Sequence, residues 1–328
     1  MNYNQIFLGI FICILGEFVL YNLNNHYLFF KPIFTTTSKG TFEKHEGNGS
    51  FTNPLLECLG VEGQDSFEQL NISNNELENL VSSIKNKYGL GSMGVYLRDL
   101  NNGPWLGINQ EEHFIGGSLL KVPMLLSYLK LSETDPSILK KEIEYKEKSV
   151  DNTQYFTSSK QLEVGKKYTV QELLEYMIYY SDNNAAYLLS QNIDTKEFDK
   201  VFISLGLGEP DINKPYPVDT KTYASFFRVL FNASYLNKNS SEIALSMLSK
   251  GEFNKGLQSL IPQDLVVAHK FGIRSDGNVD QLHDCGIIYY PGHPYLLCIM
   301  SKGDNFEKMA SSIGEVSKFV YDRVSKLK

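Results

Sequence analysis

The sequence predicts an α+β domain in which both ends of the chain build one antiparallel sheet around an inserted block of helices. Three observations carry this. Ser92–Asp99 and Trp105–Ile108 read as strands, joined through Asn101-Asn102-Gly103. Leu265–Lys270, Gln281–Tyr290 and Tyr295–Ser301 read as three more strands linked by short Gly/Pro turns. Between the two sets the apolar residues recur mainly with helical spacing. Two strands early and three late fit a sheet of about five strands, with a groove between sheet and insert as the natural place for a site.

Ahead of this domain, Ile6–Leu20 is an apolar run broken only by Glu17 and followed by Tyr21, Tyr27, Phe29, Phe30 and Lys31. Residues 1–30 therefore read as a membrane anchor, with a cleaved signal segment as the alternative. The signal reading has against it the absence of positive charge in residues 1–5 and of an Ala-x-Ala site. Residues 31–69 mix Thr, Ser, Gly and Asn with both charges and read as a flexible linker. The folded part spans 70–328. Ser73 with Glu76 marks a capping box for a helix to about Tyr88.

Beyond the first strands, a helix starts after Gly116-Gly117-Ser118, and Asp135–Lys148 is expected as a charged surface helix. Thr169 with Glu172 caps Val170–Tyr180, which runs into Ser181-Asp182-Asn183-Asn184 and then Ala185–Gln191. Asp194–Leu205 is helical, Gly206–Val218 is an irregular Pro-containing loop, and Asp219–Tyr235 and Ser241–Lys250 are helical again. Asn305–Leu327 closes the chain as a long amphipathic helix.

A net charge of −7 argues against a nucleic-acid partner, which leaves a basic footprint. No Cys-x-x-Cys, His-x-His or His-Glu-x-x-His pattern occurs, so neither a metal nor any other cofactor is expected. With the turn placed at Pro291–Pro294, Cys285 and Cys298 fall diagonally across a hairpin, as packed thiols open to oxidation.

Gly116-Gly117-Ser118-Leu119-Leu120-Lys121 delivers a serine to a helix start with a lysine one turn on. A lysine whose ammonium is disfavoured by burial can take the serine proton, and the helix start offers N–H groups to developing negative charge. Ser-x-x-Lys alone selects nothing, since Ser82/Lys85, Ser127/Lys130, Ser137/Lys140 and Ser325/Lys328 match it too. What selects Ser118 lies downstream: Ser181-Asp182-Asn183 between two helices, and Lys270-Phe271-Gly272 at the end of a strand. Each also has a plainer reading, Ser181–Asn183 as a helix cap, Lys270 as an edge-strand charge and His269 as a surface histidine. A Ser-His-Asp triad through His269 or His283 lacks a nucleophile elbow.

With these three motifs in order, residues 70–328 resemble the serine β-lactamase and D,D-peptidase superfamily, most closely the class A β-lactamase catalytic domain. The resemblance implies the β-lactamase/transpeptidase-like fold and acyl transfer with Ser118 as nucleophile and Lys121 as its base. It implies Ser181 as the relay to the leaving nitrogen, with Lys270 holding it and the substrate carboxylate. The backbone N–H groups of Ser118 and of Ile273, after Gly272, would form the oxyanion hole, and Asn183 would bind the acyl side-chain amide. Asp182 reads as a buried structural acceptor. Glu209, in Glu209-Pro210-Asp211-Ile212-Asn213, matches the glutamate that activates the deacylating water, within a loop shorter than the family's. Phe271 departs from the family's Thr or Ser, and Arg274 is the candidate to compensate for the lost carboxylate contact.

The implied substrate is a β-lactam or a peptidoglycan peptide, met by a monomer anchored in the membrane with its domain outside the cytoplasm. A D,D-peptidase with slow deacylation and a binding module with a degenerate site are the alternatives.

Overall fold

The computed structural model describes residues 40–46, 49–61, 72–148, 155–156, 158–210, 216–275 and 279–327. Early and late strands meet as expected: β3 (Ser92–Asp99), β4 (Trp105–Ile108), β9 (Val267–Ser275), β10 (Asp280–Ile288) and β11 (Tyr295–Gly303) form one antiparallel sheet in the order β4-β3-β11-β10-β9. Two apolar cores cover it. On one face α1 (Asn74–Tyr88) and α8 (Phe306–Val324) pack Leu77, Val81, Ile313 and Val316 against Val95, Leu97 and Ile299. On the other, the helical insert covers Tyr96, Cys285, Ile287, Leu296 and Cys298. Because both faces are covered, β3 buries seven residues of Ser92–Asp99 and leaves no solvated alternate row.

The insert obeys its sequence signals. Both capping boxes form, Ser73 with Glu76 on α1 and Thr169 with Glu172 on α3 (Val170–Tyr179). A 3-10 turn, Gly117–Leu120, leads into α2 (Lys121–Ser132). Then come α4 (Asn183–Ser190), α5 (Thr195–Ser204), α6 (Thr220–Phe231) and α7 (Lys238–Leu248). Two short ribbons complete it. β5 (Phe114–Ile115) pairs with β8 (Pro217–Val218), and β6 (Glu142–Glu144) with β7 (Lys167–Thr169).

Three expectations are corrected. Asp135–Lys148 is no helix: Asp135 caps a 3-10 turn, Pro136–Lys140, and β6 comes next. Glu142-Ile143-Glu144-Tyr145 buries Ile143 and Tyr145 at a period of two, which is strand spacing. Within the expected linker, β1 (Gly40–His45) and β2 (Leu55–Val61) form an antiparallel ribbon. Its connection docks on the body: the Phe51 and Thr52 N–H groups donate to the Glu242 carboxylate, the latter at 2.9 Å, and Asn53 N–H donates to Phe231 O at 2.7 Å. The folded body therefore begins by residue 40. The expected anchor, residues 1–30, lies outside the described residues, among which no helix is long and apolar enough to cross a membrane.

The third correction is covalent. Ile288 pairs with Tyr295, which moves the turn one residue from its expected centre and sets Cys285 opposite Cys298, and the two form a disulfide. Both sulfurs are fully buried in the sheet. The cysteines are 13 residues apart, so the cross-link should contribute about 3 kcal/mol by constraining the unfolded chain. Replacing both by alanine is expected to lower the melting temperature by at least several degrees, and reductant to act only as the protein unfolds; thermal melts with and without dithiothreitol check both.

Candidate active site

Two glycines, Gly117 before Ser118 and Gly272 on β9, cannot be replaced by another residue without moving the backbone. Gly117 has φ +54°, and a Cβ there would lie 2.3 Å from Ile273 O. A Cβ on Gly272 would lie 2.4 Å from Gly116 O. The edge strand β9 thus runs in backbone contact with the Gly116–Ser118 segment, and Ile273 and Ser118 line one cavity. Side chains fix the same segment: Gln281 Oε1 accepts from Ile115 N–H at 2.9 Å, and His283 Nε2 lies 3.1 Å from Ile115 O. Beyond the serine, Tyr223 donates its hydroxyl to Leu119 O at 2.9 Å.

Lys121 and Lys270 converge on Ser181. Lys121 Nζ reaches Ser181 Oγ at 3.1 Å and Asn183 Oδ1 at 2.8 Å and also donates to Ser181 O; Lys270 Nζ reaches the same Oγ at 2.9 Å. All three residues are buried. Burial brings the Lys121 amine down to about 7 against a partial opposing pull from Asp182. Lys270 is held well below the usual lysine range by burial and then by Lys121. Ser181 has φ 53°, a conformation costing a non-glycine residue on the order of 1 kcal/mol, and so carries its hydroxyl between the two amines. Asp182 holds that turn in place: its Oδ1 accepts from Ala185 N–H at 2.9 Å and caps α4. Among the described residues the Ser118 hydroxyl makes no hydrogen bond and faces the cavity.

That cavity, of about 600 Å³, is walled at its polar end by Ser118, Lys121, Asn183, Ile273 and Arg274 and continues between α2, α3, α4 and α5 along Met124, Met177 and Phe198. Tyr216 and Pro210 close it toward the loop. The apolar continuation suits an apolar substituent, and the polar end holds a hydroxyl beside groups that can take or give a proton.

The chain matches the model of the Beta-lactamase enzyme family over residues 73–324. It belongs to that family. A curated relative, β-lactamase VEB-1 of Pseudomonas aeruginosa, is 25% identical over 248 residues, 67% of this chain and 80% of the relative. The solved β-lactamase of Chitinophaga pinensis superposes with a TM-score of 0.66 at 22% identity, covering 76% of this chain and 99% of its own. PBP-A gives 0.63 at 22% identity over 76% and 97%, and a mutant of it has been solved as an acyl-enzyme complex with penicillin G. The β-lactamase/transpeptidase-like fold is shared by all of them.

Against the family pattern, Ser118, Lys121, Asn183, Ile273 and Arg274 share the cavity, and Ser181 and Lys270 join them through hydrogen bonds. Lys270 is 2% exposed, which removes the edge-charge reading. His269 is no surface residue either: it is buried, with Nδ1 2.8 Å from Asp284 Oδ1, and Asp284 Oδ2 accepts from Leu257 N–H. Glu209 is exposed and is not among the described residues that line the cavity, although Pro210 is. Phe271 is buried and stacks on Phe253 at 4.2 Å between ring centroids, while the Lys270 ammonium lies 4.0 Å from its ring centre. Sequence reasoning misses Gln281 as a contact of the nucleophile segment and weighs His283 only as a triad member. The available signal is two polar residues on alternate positions of a strand that is otherwise buried and apolar on that face.

Gly117→Ala and Gly272→Ala should each cost about 1–3 kcal/mol by forcing the Gly116–Ser118 segment off β9. Thermal melts should show the loss, with Gly165→Ala as control, since nothing lies within 4 Å of that glycine's added Cβ although its φ of +87° carries its own backbone cost.

Proposed function

We propose that this chain is an active-site serine hydrolase of the class A β-lactamase type, acylated at Ser118 by β-lactams or D-alanyl-D-alanine-like amides and then freed by water. The observation that carries this is the convergence of Lys121 and Lys270 on the Ser181 hydroxyl beside a cavity-facing Ser118. Neutral Lys121 accepts the Ser118 proton as Oγ attacks the carbonyl carbon, and Ser181 passes a proton to the departing nitrogen as the C–N bond breaks. The N–H groups of Ser118 and Ile273 receive the carbonyl oxygen, an interaction worth about 3 kcal/mol per donor in comparable enzymes. Asn183 serves the acyl amide, Arg274 the substrate carboxylate, and Met124, Met177 and Phe198 an apolar acyl side chain.

A second reading, a D,D-peptidase-like enzyme with slow deacylation, is favoured by one observation: Glu209 is exposed rather than facing the cavity. On either reading the domain works outside the cytoplasm, where peptidoglycan and β-lactams are met. The Cys285–Cys298 disulfide supports that location, because such bonds persist in oxidising compartments.

A fluorescent penicillin should label the protein on the Ser118 peptide and fail to label Ser118→Ala; mass spectrometry of a digest checks the site, and an adduct elsewhere refutes the mechanism. Below its pKa Lys121 is protonated and cannot accept a proton, so the acylation rate should rise with pH and pass half-maximum at about 7, read by stopped flow between about pH 5.5 and 9. Glu209→Gln separates the two readings. A base acting through water predicts an acyl-enzyme lifetime lengthened by about a hundredfold or more, whereas an unchanged lifetime assigns slow deacylation to the wild type.

A further inference from the structure

We propose that Gln281 and His283 are positioning residues that grip both polar backbone groups of Ile115 and thereby fix the approach of Ser118 to β9. The proposal rests on the reading of Ser118 as nucleophile. In an extended segment the N–H and C=O of one residue point to the same side, and alternate residues of a strand share a face. Gln281 and His283, two apart on β10, meet Ile115 as a neighbouring strand would: Gln281 Oε1 accepts its N–H at 2.9 Å and His283 Nε2–H donates to its C=O at 3.1 Å. A carbonyl only accepts, so the His283 proton sits on Nε2. Ile115's partner in the β5–β8 ribbon is Pro217, which has no N–H to offer that carbonyl.

The two glycines after Ile115 create the need for such a grip. Glycine backbone is free to turn, yet Gly117 must pass Ile273, and Gly116 must pass Gly272, so closely that neither Gly117 nor Gly272 has room for a Cβ. The segment is held on its far side by the Tyr223 hydroxyl on Leu119 O, and on its near side by this pair. The His283 ring packs edge-on against Phe114, but such a contact does not call for a polar side chain, and Gln281 has no ring. Gln281 and His283 are 5% and 0% exposed, and His283 Nδ1 has no hydrogen-bond partner among the described residues, whereas Ile287 further along the strand is apolar. A buried polar atom without a partner destabilises the fold, so an aliphatic residue would serve the core better.

The experiment compares His283→Leu, His283→Gln and Gln281→Met in pre-steady-state acylation by a fluorescent penicillin, with melting temperatures and amide exchange of residues 115–118. His283→Leu and Gln281→Met should lower the limiting acylation rate about ten- to a hundredfold, with the half-saturating concentration within about threefold of wild type. His283→Gln, which keeps an N–H donor at similar reach, should recover most of the rate. A wild-type rate in folded His283→Leu overturns the proposal, as does His283→Gln acylating as slowly as His283→Leu at an equal melting temperature. If His283→Leu does not fold, Gln281→Met and His283→Gln carry the comparison. If wild type itself is not acylated, the functional reading falls and exchange decides: an Ile115 amide exchanging at least about tenfold faster in Gln281→Met supports the grip, and an unchanged one overturns it.

Discussion

Two lysine amines cannot both keep a full charge in a dry pocket around one hydroxyl, and this constraint organises the site. Lys121 and Lys270 each lie within 3.1 Å of Ser181 Oγ, and each is buried. At an effective dielectric near 20, two unit charges some 5 Å apart repel by about 3 kcal/mol, before the cost of desolvating either. That cost is reduced because burial brings the Lys121 amine down to about 7, with Asp182 partly opposing, and holds Lys270 well below the usual lysine range. A neutral amine beside a serine is a base. The same burial that would make the pair unfavourable as ammonium ions makes it competent for proton transfer.

Holding these groups in place demands a rigid floor, and the central sheet supplies it. Across one row of the sheet lie Lys270, Cys285, Cys298 and Tyr96, each directly opposite the next. The disulfide is the middle of this row, so the strand carrying Lys270 is paired to a covalently cross-linked hairpin. Above the floor, Gly117 passes Ile273 and Gly272 passes Gly116 O too closely for either glycine to carry a side chain. Rigidity and close approach are thus obtained from different residues: a cross-link and two covered faces for the sheet, missing Cβ atoms for the contact.

How much of this is legible in the sequence depends on the range of the cause. Strands β3 and β4 and the capping boxes of α1 and α3 are local, fixed by residues within a few positions, and the sequence places them to within a residue. The three motifs are legible because Ser118, Ser181 and Lys270 each carry a local signature. The misreadings have other causes. Glu142–Tyr145 reads as a charged helix because its short two-residue period is masked by surrounding lysines and glutamates. The Cys285–Cys298 bond turns on a one-residue register choice at a Gly/Pro turn, which sequence spacing does not settle. The β1–β2 ribbon gains its footing from Glu242, some 190 residues away, and no local pattern announces such a contact.

Phe271 shows how one substitution redistributes work within this arrangement. The family resemblance implies a hydroxyl here that binds a substrate carboxylate; in this chain a buried phenyl ring stacks on Phe253 and meets Phe156 edge-on at 6.3 Å. Such ring pairs contribute about 0.5–1.5 kcal/mol beyond their buried area, so the change stabilises the end of the site while removing a donor. Lys270 Nζ lies 4.0 Å from the ring centre and is buried between that ring and Ser181, away from an incoming anion. On the proposed reading, carboxylate recognition therefore passes to Arg274, which is exposed on the cavity wall and whose planar fork can grip two oxygens. An exposed arginine is screened by salt where a buried hydroxyl is not. Carboxylate-bearing substrates should accordingly bind with an ionic-strength dependence that Arg274→Gln abolishes, whereas Phe271→Thr should restore salt-insensitive binding; acylation titrations between about 20 and 500 mM salt read both.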